Sequence, residues 1–279
     1  MFTQTNTTRA KIARVPFPKV RSVVQAAHRE EIPSDGEADV LRLIGRPDST
    51  DRKFKAGSDL FRLGESGQAV YSLVDGWVAL YSLMEDGRRQ ILQFALPGTI
   101  LAFAQARHSV MKYSAQALTD AVVRIVPHEN LVRLSRERPE VGIQIASLIS
   151  QDRNLAYDHL SSLGRRSARE RIAHLLLELF MRSRLRWPGH RSEEMRLPLS
   201  QEHIGDATGL TGIHVNRVLR ELRLEGILEF HYRRLRILNP DRLVEVAGVE
   251  PQVALAWLNR GSDPAPKNLS IARSAVRAA

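Results

Sequence analysis

The chain has 279 residues, 43% of them apolar, which is enough for two ordinary domains with their own cores. It contains no cysteine, so disulfides, thiolate zinc sites, cysteine-held iron–sulfur clusters and sensing by cysteine oxidation are excluded. The formal net charge is +10, but residues 1–30 carry six Lys/Arg against one acid and residues 260–279 carry four against one. Because most of the charge lies in these two ends, net charge alone does not predict nucleic-acid binding.

The N-terminal segment is polar and basic. It has no apolar core of a signal peptide, and no window of the chain approaches eighteen consecutive apolar residues. The sequence therefore predicts a cytoplasmic protein with no membrane partner. Residues 1–34 are expected to form a flexible basic arm, and residues 248–279 a C-terminal tail.

Short apolar runs punctuated by glycine fill residues 52–126, after an expected short helix at residues 35–44. Asp75-Gly76 and Asp86-Gly87 each lie between β-prone segments, the pattern that is typical of a β-hairpin. Regular short strands with such turns indicate a sandwich or barrel. We therefore predict a β-rich domain at residues 35–137.

The apolar period becomes helical after Pro127, and Pro139 is placed to begin a long helix. Apolar residues seven positions apart favour a partner helix, so we predict a dimerisation helix at residues 138–164 that Gly164 ends. Packing of the same stripe within the chain is the alternative. The seam residues are predicted to be Ile145, Leu148, Ile149, Leu155, Ala156 and Leu163.

A capping box at Ser167 and Glu170 begins a further helix, whose predicted apolar face is Ile172, Leu175, Leu176, Leu179 and Phe180.

Residues 201–222 carry the pattern of a helix-turn-helix. Ser200 can cap a first helix that buries Ile204 and Thr208, and Gly205 allows a second helix to cross closely. Gly209 suits the turn because glycine adopts positive φ at little cost. A second helix follows with an inward stripe of Val215, Val218, Leu219 and Leu222. The predicted domain, residues 165–247, binds DNA, and an ordinary helical hairpin is the alternative.

Two short strands with a basic turn follow the second helix and predict a wing. Recognition helices present their N-terminal end to base edges, and arginine can bond guanine through two parallel hydrogen bonds. Arg217 is the leading base-reading candidate, and phosphate contacts are predicted to supply affinity and register. The predicted base-reading residues are Arg217, His214, Asn216 and Ile213, and the predicted backbone contacts are Gln201, Thr211, Arg220, Arg233 and Arg234.

Residues 35–250 resemble the Crp/Fnr family of bacterial transcription regulators, in particular its alphaproteobacterial members. The resemblance rests on Gly57, Gly64 and Gly76, Asp86-Gly-Arg-Arg-Gln-Ile, Leu96-Pro-Gly, Leu163-Gly-Arg-Arg, Glu170-Arg-Ile-Ala-His-Leu-Leu and Leu210-Thr-Gly-Ile-His-Val-Asn-Arg. It implies an α+β fold with a cyclic-nucleotide-binding-like β-roll sensor domain, a long dimerisation helix and a C-terminal winged helix-turn-helix. It also implies a homodimer on a palindromic operator, with double-stranded DNA and RNA polymerase as partners.

The chain departs from the cyclic-AMP-binding members of that family. Their Gly-Glu pair aligns with Ala102 and Phe103, and their phosphate-binding arginine falls near Met111-Lys112. A buried phosphate without its arginine loses a charge-assisted contact, although Lys112 or Arg107 could substitute. We therefore predict an effector other than cyclic AMP and a degenerate pocket at Ala102, Phe103, Arg107 and Lys112. The family's recognition-helix glutamate aligns with Ile213, so cytosine readout at that base pair is either lost or taken over by His214 or Asn216.

Two alternatives of other kinds stay open. A haem- or other small-ligand-sensing regulator could use a lone histidine such as His108 or His159 as axial ligand. The β-roll could instead be a protein-interaction module without an effector. An enzyme is not expected, because the nine histidines are never closer than eleven residues and neither a phosphate-binding loop nor a nucleophile elbow is present. No cofactor is predicted.

Overall fold

The computed structural model describes residues 49–67, 69–103, 110–186 and 194–249. The expected basic arm, the expected helix at residues 35–44 and nearly all of the expected C-terminal tail lie outside these ranges. The described chain begins with antiparallel β-sheets, continues through three helices and ends in a small domain of helices and three strands.

Eight strands form two antiparallel four-stranded sheets that pack face to face. One sheet has the order β1-β8-β3-β6 and the other has the order β2-β7-β4-β5. The strands are β1 (Thr50–Phe54), β2 (Asp59–Phe61), β3 (Ala69–Asp75), β4 (Val78–Leu83), β5 (Arg89–Ala95), β6 (Ile100–Phe103), β7 (Ser114–Ala117) and β8 (Ala121–Pro127).

The two predicted hairpins have different outcomes. Asp86-Gly87 lies in the loop between β4 and β5, which pair from Leu83 with Arg89 onward, so this hairpin is confirmed. Asp75-Gly76 instead carries the chain from one sheet to the other, because β3 pairs with β6 and β8 while β4 pairs with β5 and β7. A Cβ at Gly76 would meet Asp120 O at 2.5 Å, so the close approach of two backbones there explains the glycine.

Apolar side chains of both sheets form the core of the β domain. The ring of Phe61 lies 5.4 Å from that of Tyr71 and 6.2 Å from that of Tyr113, centroid to centroid. The Tyr113 hydroxyl donates to Leu101 O at 2.9 Å. Aromatic pairs at these separations stabilise a core beyond the area they bury.

Helices α1 (His128–Glu137) and α2 (Pro139–Arg165) follow the β domain. Pro139 begins α2 as predicted, because proline tolerates the first helical turn, where its missing N–H would be unsatisfied anyway. The helix continues through Gly164 and ends at Arg165, whereas we expected Gly164 to end it. Arg166 closes it in an extended conformation, with its N–H bonded to Ser162 O, so no left-handed glycine is needed there.

Two of the six residues predicted to form the dimer seam of α2 are buried within the single chain. Ile145 is 6% exposed and Leu155 is 2% exposed within the single chain, so neither can present its side chain to a partner helix. The β domain and α1 use this face, where Ile145 packs with Val126, Leu131 and Leu134. The other predicted seam residues are exposed or half-buried: Leu148, Ile149, Ala156 and Leu163.

Helix α3 (Ala168–Arg186) is the centre of the second half of the chain. Its predicted capping box is confirmed, since Ser167 N donates to Glu170 Oε2 at 2.6 Å and Glu170 N donates to Ser167 Oγ at 3.3 Å. All five predicted apolar-face residues are buried, and so are the intervening Leu177 and Met181. The helix is therefore enclosed on several sides rather than on one.

The remaining elements pack around α3. They are β9 (Glu194–Arg196), α4 (Gln201–Thr208), α5 (Gly212–Leu224), β10 (Leu228–His231), β11 (Arg234–Ile237) and α6 (Pro240–Ala247). We did not predict α6 or β9. Their apolar residues share one core with Trp77, Ile91 and Phe94 of the β domain. The second domain therefore rests directly on strands β4 and β5.

Candidate DNA-binding site

Helices α4 and α5 meet at a tight turn. Ser200 Oγ accepts from His203 N at 3.1 Å and His203 Nδ1 accepts from Ser200 N at 3.2 Å, so the predicted N-cap is confirmed as a reciprocal box. Gly209 ends α4 with a φ of +68°, as predicted. A Cβ at Gly205 would meet Leu210 O at 2.5 Å. Only glycine therefore lets the turn approach α4 this closely.

The inward stripe of α5 is fully buried, as predicted for Val215, Val218, Leu219 and Leu222. Thr211 caps the helix, with Oγ1 accepting from His214 N at 3.3 Å. The opposite face is open, and Ile213 is 86% exposed. The N-terminal end of α5 therefore has the exposed geometry of a recognition helix.

The predicted base-reading residues lie together on that exposed end. Arg217 Nη2 lies 3.2 Å from His214 Nε2, and Asn216 Nδ2 donates to Gln201 Oε1 at 3.1 Å. The first contact holds the guanidinium beside the first turn of α5, and the second joins α5 to the start of α4. Arg220 is exposed one turn further along the same face.

The wing is a true hairpin. Strands β10 and β11 pair from His231 with Arg234, and the two residues between them, Tyr232 and Arg233, have φ of 49° and 61°. Two consecutive positive φ values define the turn whose twist matches a two-residue hairpin. Arg233 is exposed at its tip, as predicted. Arg234 is exposed too, but its Nη1 donates to Glu194 Oε1 at 2.8 Å, which offsets its charge.

Three features of the wing were missed from the sequence. Strand β9 pairs with β11 as a third strand, Tyr232 is 96% exposed at the tip, and Arg223 Nη1 lies 2.8 Å from His231 Nε2. This last contact ties the C-terminal end of α5 to the wing. The alternation in Met195-Arg-Leu could have indicated β9, whereas the Arg223 contact depends on tertiary placement.

Strand β5 of the β domain is hydrogen-bonded to α4, the first helix of the helix-turn-helix. Arg89 Nε donates to Asp206 Oδ2 at 2.7 Å, and Gln90 Nε2 donates to Ala207 O at 3.4 Å. On the other side, Arg171 Nη1 of α3 donates to Thr208 O at 2.7 Å. The orientation of α4 is thus fixed from two domains.

A buried ionic network joins β5, α2 and α3. The fully buried Glu178 carboxylate accepts from His159 Nε2 at 2.6 Å and from Arg182 Nη1 at 2.7 Å. His159 Nδ1 lies 3.3 Å from Leu92 O, and Arg182 Nη1 donates to Phe94 O at 3.2 Å. Both nitrogens of His159 face acceptors, which suits the doubly protonated ring. Its ring is therefore engaged within the protein rather than free to ligate a haem.

The network shifts both partners toward their charged forms. Burial raises the pKa of Glu178, but the charge and hydrogen bond of His159 and the charge of Arg182 outweigh it and hold that pKa well below its usual value. Burial lowers the pKa of His159, but the charge and hydrogen bond of Glu178 raise it to a net value above the usual one.

We expect stability to fall as pH rises because of this histidine. A group whose pKa is raised by folding contributes fully below its unfolded pKa of about 6.5 and loses that contribution as pH rises through the folded value. Urea unfolding at pH 6, 7, 8 and 9 should show a steeper loss in the wild type than in His159→Gln. His214→Gln, on the exposed α5, is the control and should keep the wild-type slope. Equal slopes in all three proteins would show that His159 does not carry the effect.

The three predicted effector residues that the structure describes contribute no buried polar side chain. Ala102 is 5% exposed within the core between the sheets, and Phe103 packs against the cluster under α1 and α2. Lys112 is exposed to solvent. Arg107 lies outside the described residues, as does His108.

The described ranges contain no group of three or more His, Asp or Glu side chains placed to hold a metal ion. None of their helices combines the length and apolarity needed to cross a bilayer.

These features define a winged helix-turn-helix protein with an N-terminal β-roll domain. Residues 51–138 match the cyclic nucleotide-binding domain, and residues 170–246 match the Crp-like helix-turn-helix domain. The chain is 33% identical to the nitrogen fixation regulation protein FixK of Bradyrhizobium diazoefficiens, over 70% of this chain and 80% of that protein. It is 32% identical to the transcriptional activatory protein AadR of Rhodopseudomonas palustris, over 67% of this chain and 77% of that protein.

Among solved structures, FixK2 from Bradyrhizobium japonicum is similar with a TM-score of 0.64 and 32% identity, over 72% of this chain and 98% of that one. The chain belongs to the Crp/Fnr family of transcription regulators. The α+β fold and the DNA-binding function predicted from the sequence are therefore confirmed.

Proposed function

We propose that this regulator acts in the cytoplasm as a homodimer that binds a palindromic operator and contacts RNA polymerase, with no catalytic activity of its own. The observation that carries the proposal is the exposed end of α5, where Arg217, His214 and Asn216 lie side by side. A two-fold dimer requires a two-fold site, with half-sites about one helical turn apart.

An exposed apolar face on α2 supports the dimer. Ile149 is 42% exposed, Tyr157 is 60% exposed and Leu160 is 68% exposed. Ala156 lies seven residues after Ile149 and four before Leu160, so these three fall on one side of the helix with Tyr157 beside them, and an exposed apolar face of this kind marks a protein–protein contact. We call these four residues the α2 face. It shares Ile149 and Ala156 with the seam predicted from the sequence and replaces the buried Ile145 and Leu155.

The direct test is to isolate the protein with the genomic DNA bound to it and to sequence that DNA. The proposal expects recovered fragments to share one palindrome whose two halves are about ten base pairs apart, centre to centre. Fragments that share no motif, recovered at a yield that falls steeply as the salt concentration rises, would contradict sequence-specific binding.

We propose further that cyclic AMP is not the effector. The buried Ala102 and the packed Phe103 offer no hydrogen bonds to a ribose, and the exposed Lys112 is in solvent. A cyclic phosphate in an apolar core needs paired donors, since an unpaired buried charge is strongly unfavourable.

Titration with cyclic AMP to millimolar concentration is expected to release no heat and to leave the melting temperature unchanged. A ligand at one hundred times its dissociation constant would stabilise the protein by about 2.7 kcal/mol, which a melting curve resolves easily. Saturable binding at micromolar concentration would overturn this part of the proposal.

A further inference from the structure

A pocket of about 310 Å³ lies where the sensor domain, α2 and the helix-turn-helix meet. Strand β5 forms one wall, the C-terminal half of α2 a second, the start of α3 a third and the end of α4 a fourth. Ligand sites in proteins begin at about 300 Å³, and a dry apolar cavity of about 150 Å³ binds benzene. The volume therefore suits a molecule of about two fused rings.

The lining of this junction pocket is apolar. Its walls include Ile91, Phe94 and Leu175, which are 6% exposed or less, together with Leu160 and Leu163. A lining of this composition favours an apolar ligand, because it offers dispersion contacts and few hydrogen bonds.

Several polar side chains at the pocket are bonded within the protein. His159 faces Glu178 and Leu92 O, Arg171 donates to Arg166 O and Thr208 O, and Thr208 Oγ1 donates to Ile204 O at 2.7 Å. The charge of His159 is balanced by Glu178, and the donors of Arg171 are directed at carbonyls. An anionic ligand would therefore give up its hydration without gaining a matching partner.

We propose that the junction pocket binds a small neutral aromatic molecule, and that its occupancy changes the affinity for the operator. This inference rests on the proposed function. The coupling follows from the walls: Leu92 and His159 belong to the buried ionic network, and Ala207 and Thr208 end the first helix of the helix-turn-helix. A ligand in contact with all of them stabilises one placement of α4 relative to β5.

The α2 face continues into this pocket. Ala156 and Leu160 line it and also belong to the α2 face. A partner helix seated on that face would cover this side of the pocket, so the dimer encloses the ligand more completely than one chain does. The competing occupant is a side chain of the second copy, and the experiment separates the two.

Indole is the probe, because it is neutral and bicyclic, and indole-3-acetate is its anionic counterpart. Calorimetric titration of the full-length dimer without DNA is expected to show saturable indole binding, with indole-3-acetate at least about tenfold weaker. Absence of indole binding up to its solubility, or equal binding of the anion, overturns the inference.

Two substitutions fill the junction pocket from opposite walls. Ala207→Leu adds three carbons from α4, and Leu163→Trp adds a ring from α2. Each is expected to weaken indole binding by about tenfold or more, because the larger side chain occupies volume that the ligand would fill. Ala56→Leu, at an exposed turn of the sensor domain, makes the same change as Ala207→Leu away from the pocket and should bind indole as the wild type does. Unchanged binding in both filled variants overturns the assignment, and melting curves show whether each is folded.

Reciprocity tests the coupling. If indole changes the operator affinity by a factor of about five or more, the operator must change the indole affinity by the same factor. Equal operator affinity with and without indole contradicts the coupling.

The Ile149→Asp chain tests the competing occupant, provided that it is monomeric. If this monomer binds indole and the wild-type dimer does not, a side chain of the second copy fills the pocket in the dimer, and the inference is overturned. Operator binding without indole binding refutes only this inference, whereas indole binding without operator selection refutes the proposed function.

Discussion

The double variant Ile149→Asp/Leu160→Asp should be a monomer and should bind the operator at least about 100-fold more weakly than the wild type. Both side chains lie on the α2 face, where they are 42% and 68% exposed in the single chain. In a two-fold helix pair each new carboxylate would approach its own copy and lose water, and both effects oppose association. A monomer engages one half-site, so it loses the effective concentration that a linked second site provides, worth a factor of 10²–10⁴.

Light scattering measures the mass, and fluorescence anisotropy on the operator measures the affinity. The matched control is Leu63→Asp/Leu83→Asp, which places two acids at exposed apolar positions of the sensor domain, 56% and 59% exposed. It should remain dimeric and bind normally. A double variant at 149 and 160 that stays dimeric would show that subunits associate through another surface.

The helix-turn-helix could be predicted from the sequence because its determinants are local. Gly205, Gly209 and the cap at Ser200 each follow from backbone geometry within a few residues, and all three are found as expected. The apolar stripe of α5 needs only its own period. Helix α6 has local determinants of the same kind. Asn239 Oδ1 accepts from Arg242 N at 3.1 Å and Pro240 occupies the first turn, so Asn239-Pro240 could have predicted this helix.

The rest depends on tertiary placement that no local pattern encodes. A heptad stripe predicts that one face of α2 is packed. It does not tell whether Ile145 and Leu155 contact a partner helix or the rest of their own chain. The Asp75-Gly76 dipeptide predicts a tight turn, but not that the next strand joins the other sheet. The network around Glu178 unites residues from β5, α2 and α3, and although His159 was considered as a haem ligand, no local pattern joins it to Glu178 and Arg182.

In the recognition helix, Arg217→Ala should cost about 1–3 kcal/mol on the cognate operator and relax the preference at one symmetric base pair. The side chain is exposed on the face opposite Val215 and Val218, and His214 holds it beside the first turn of α5. A guanidinium placed there can bond both acceptors of a guanine, and an alanine leaves those acceptors unread. On a scrambled duplex the same substitution should have little effect.

The wing arginines should behave differently from Arg217 and from each other. Arg233→Ala removes an exposed charge at the tip, so it should weaken cognate and scrambled duplexes by similar factors and lower the salt slope by about one unit per subunit. Arg234→Ala should have a smaller effect, because Glu194 already offsets that charge at 2.8 Å. Anisotropy titrations on both duplexes over a salt series measure all of these quantities together. If Arg217→Ala weakens both duplexes equally, Arg217 is a phosphate contact, and base reading must pass to His214 and Asn216.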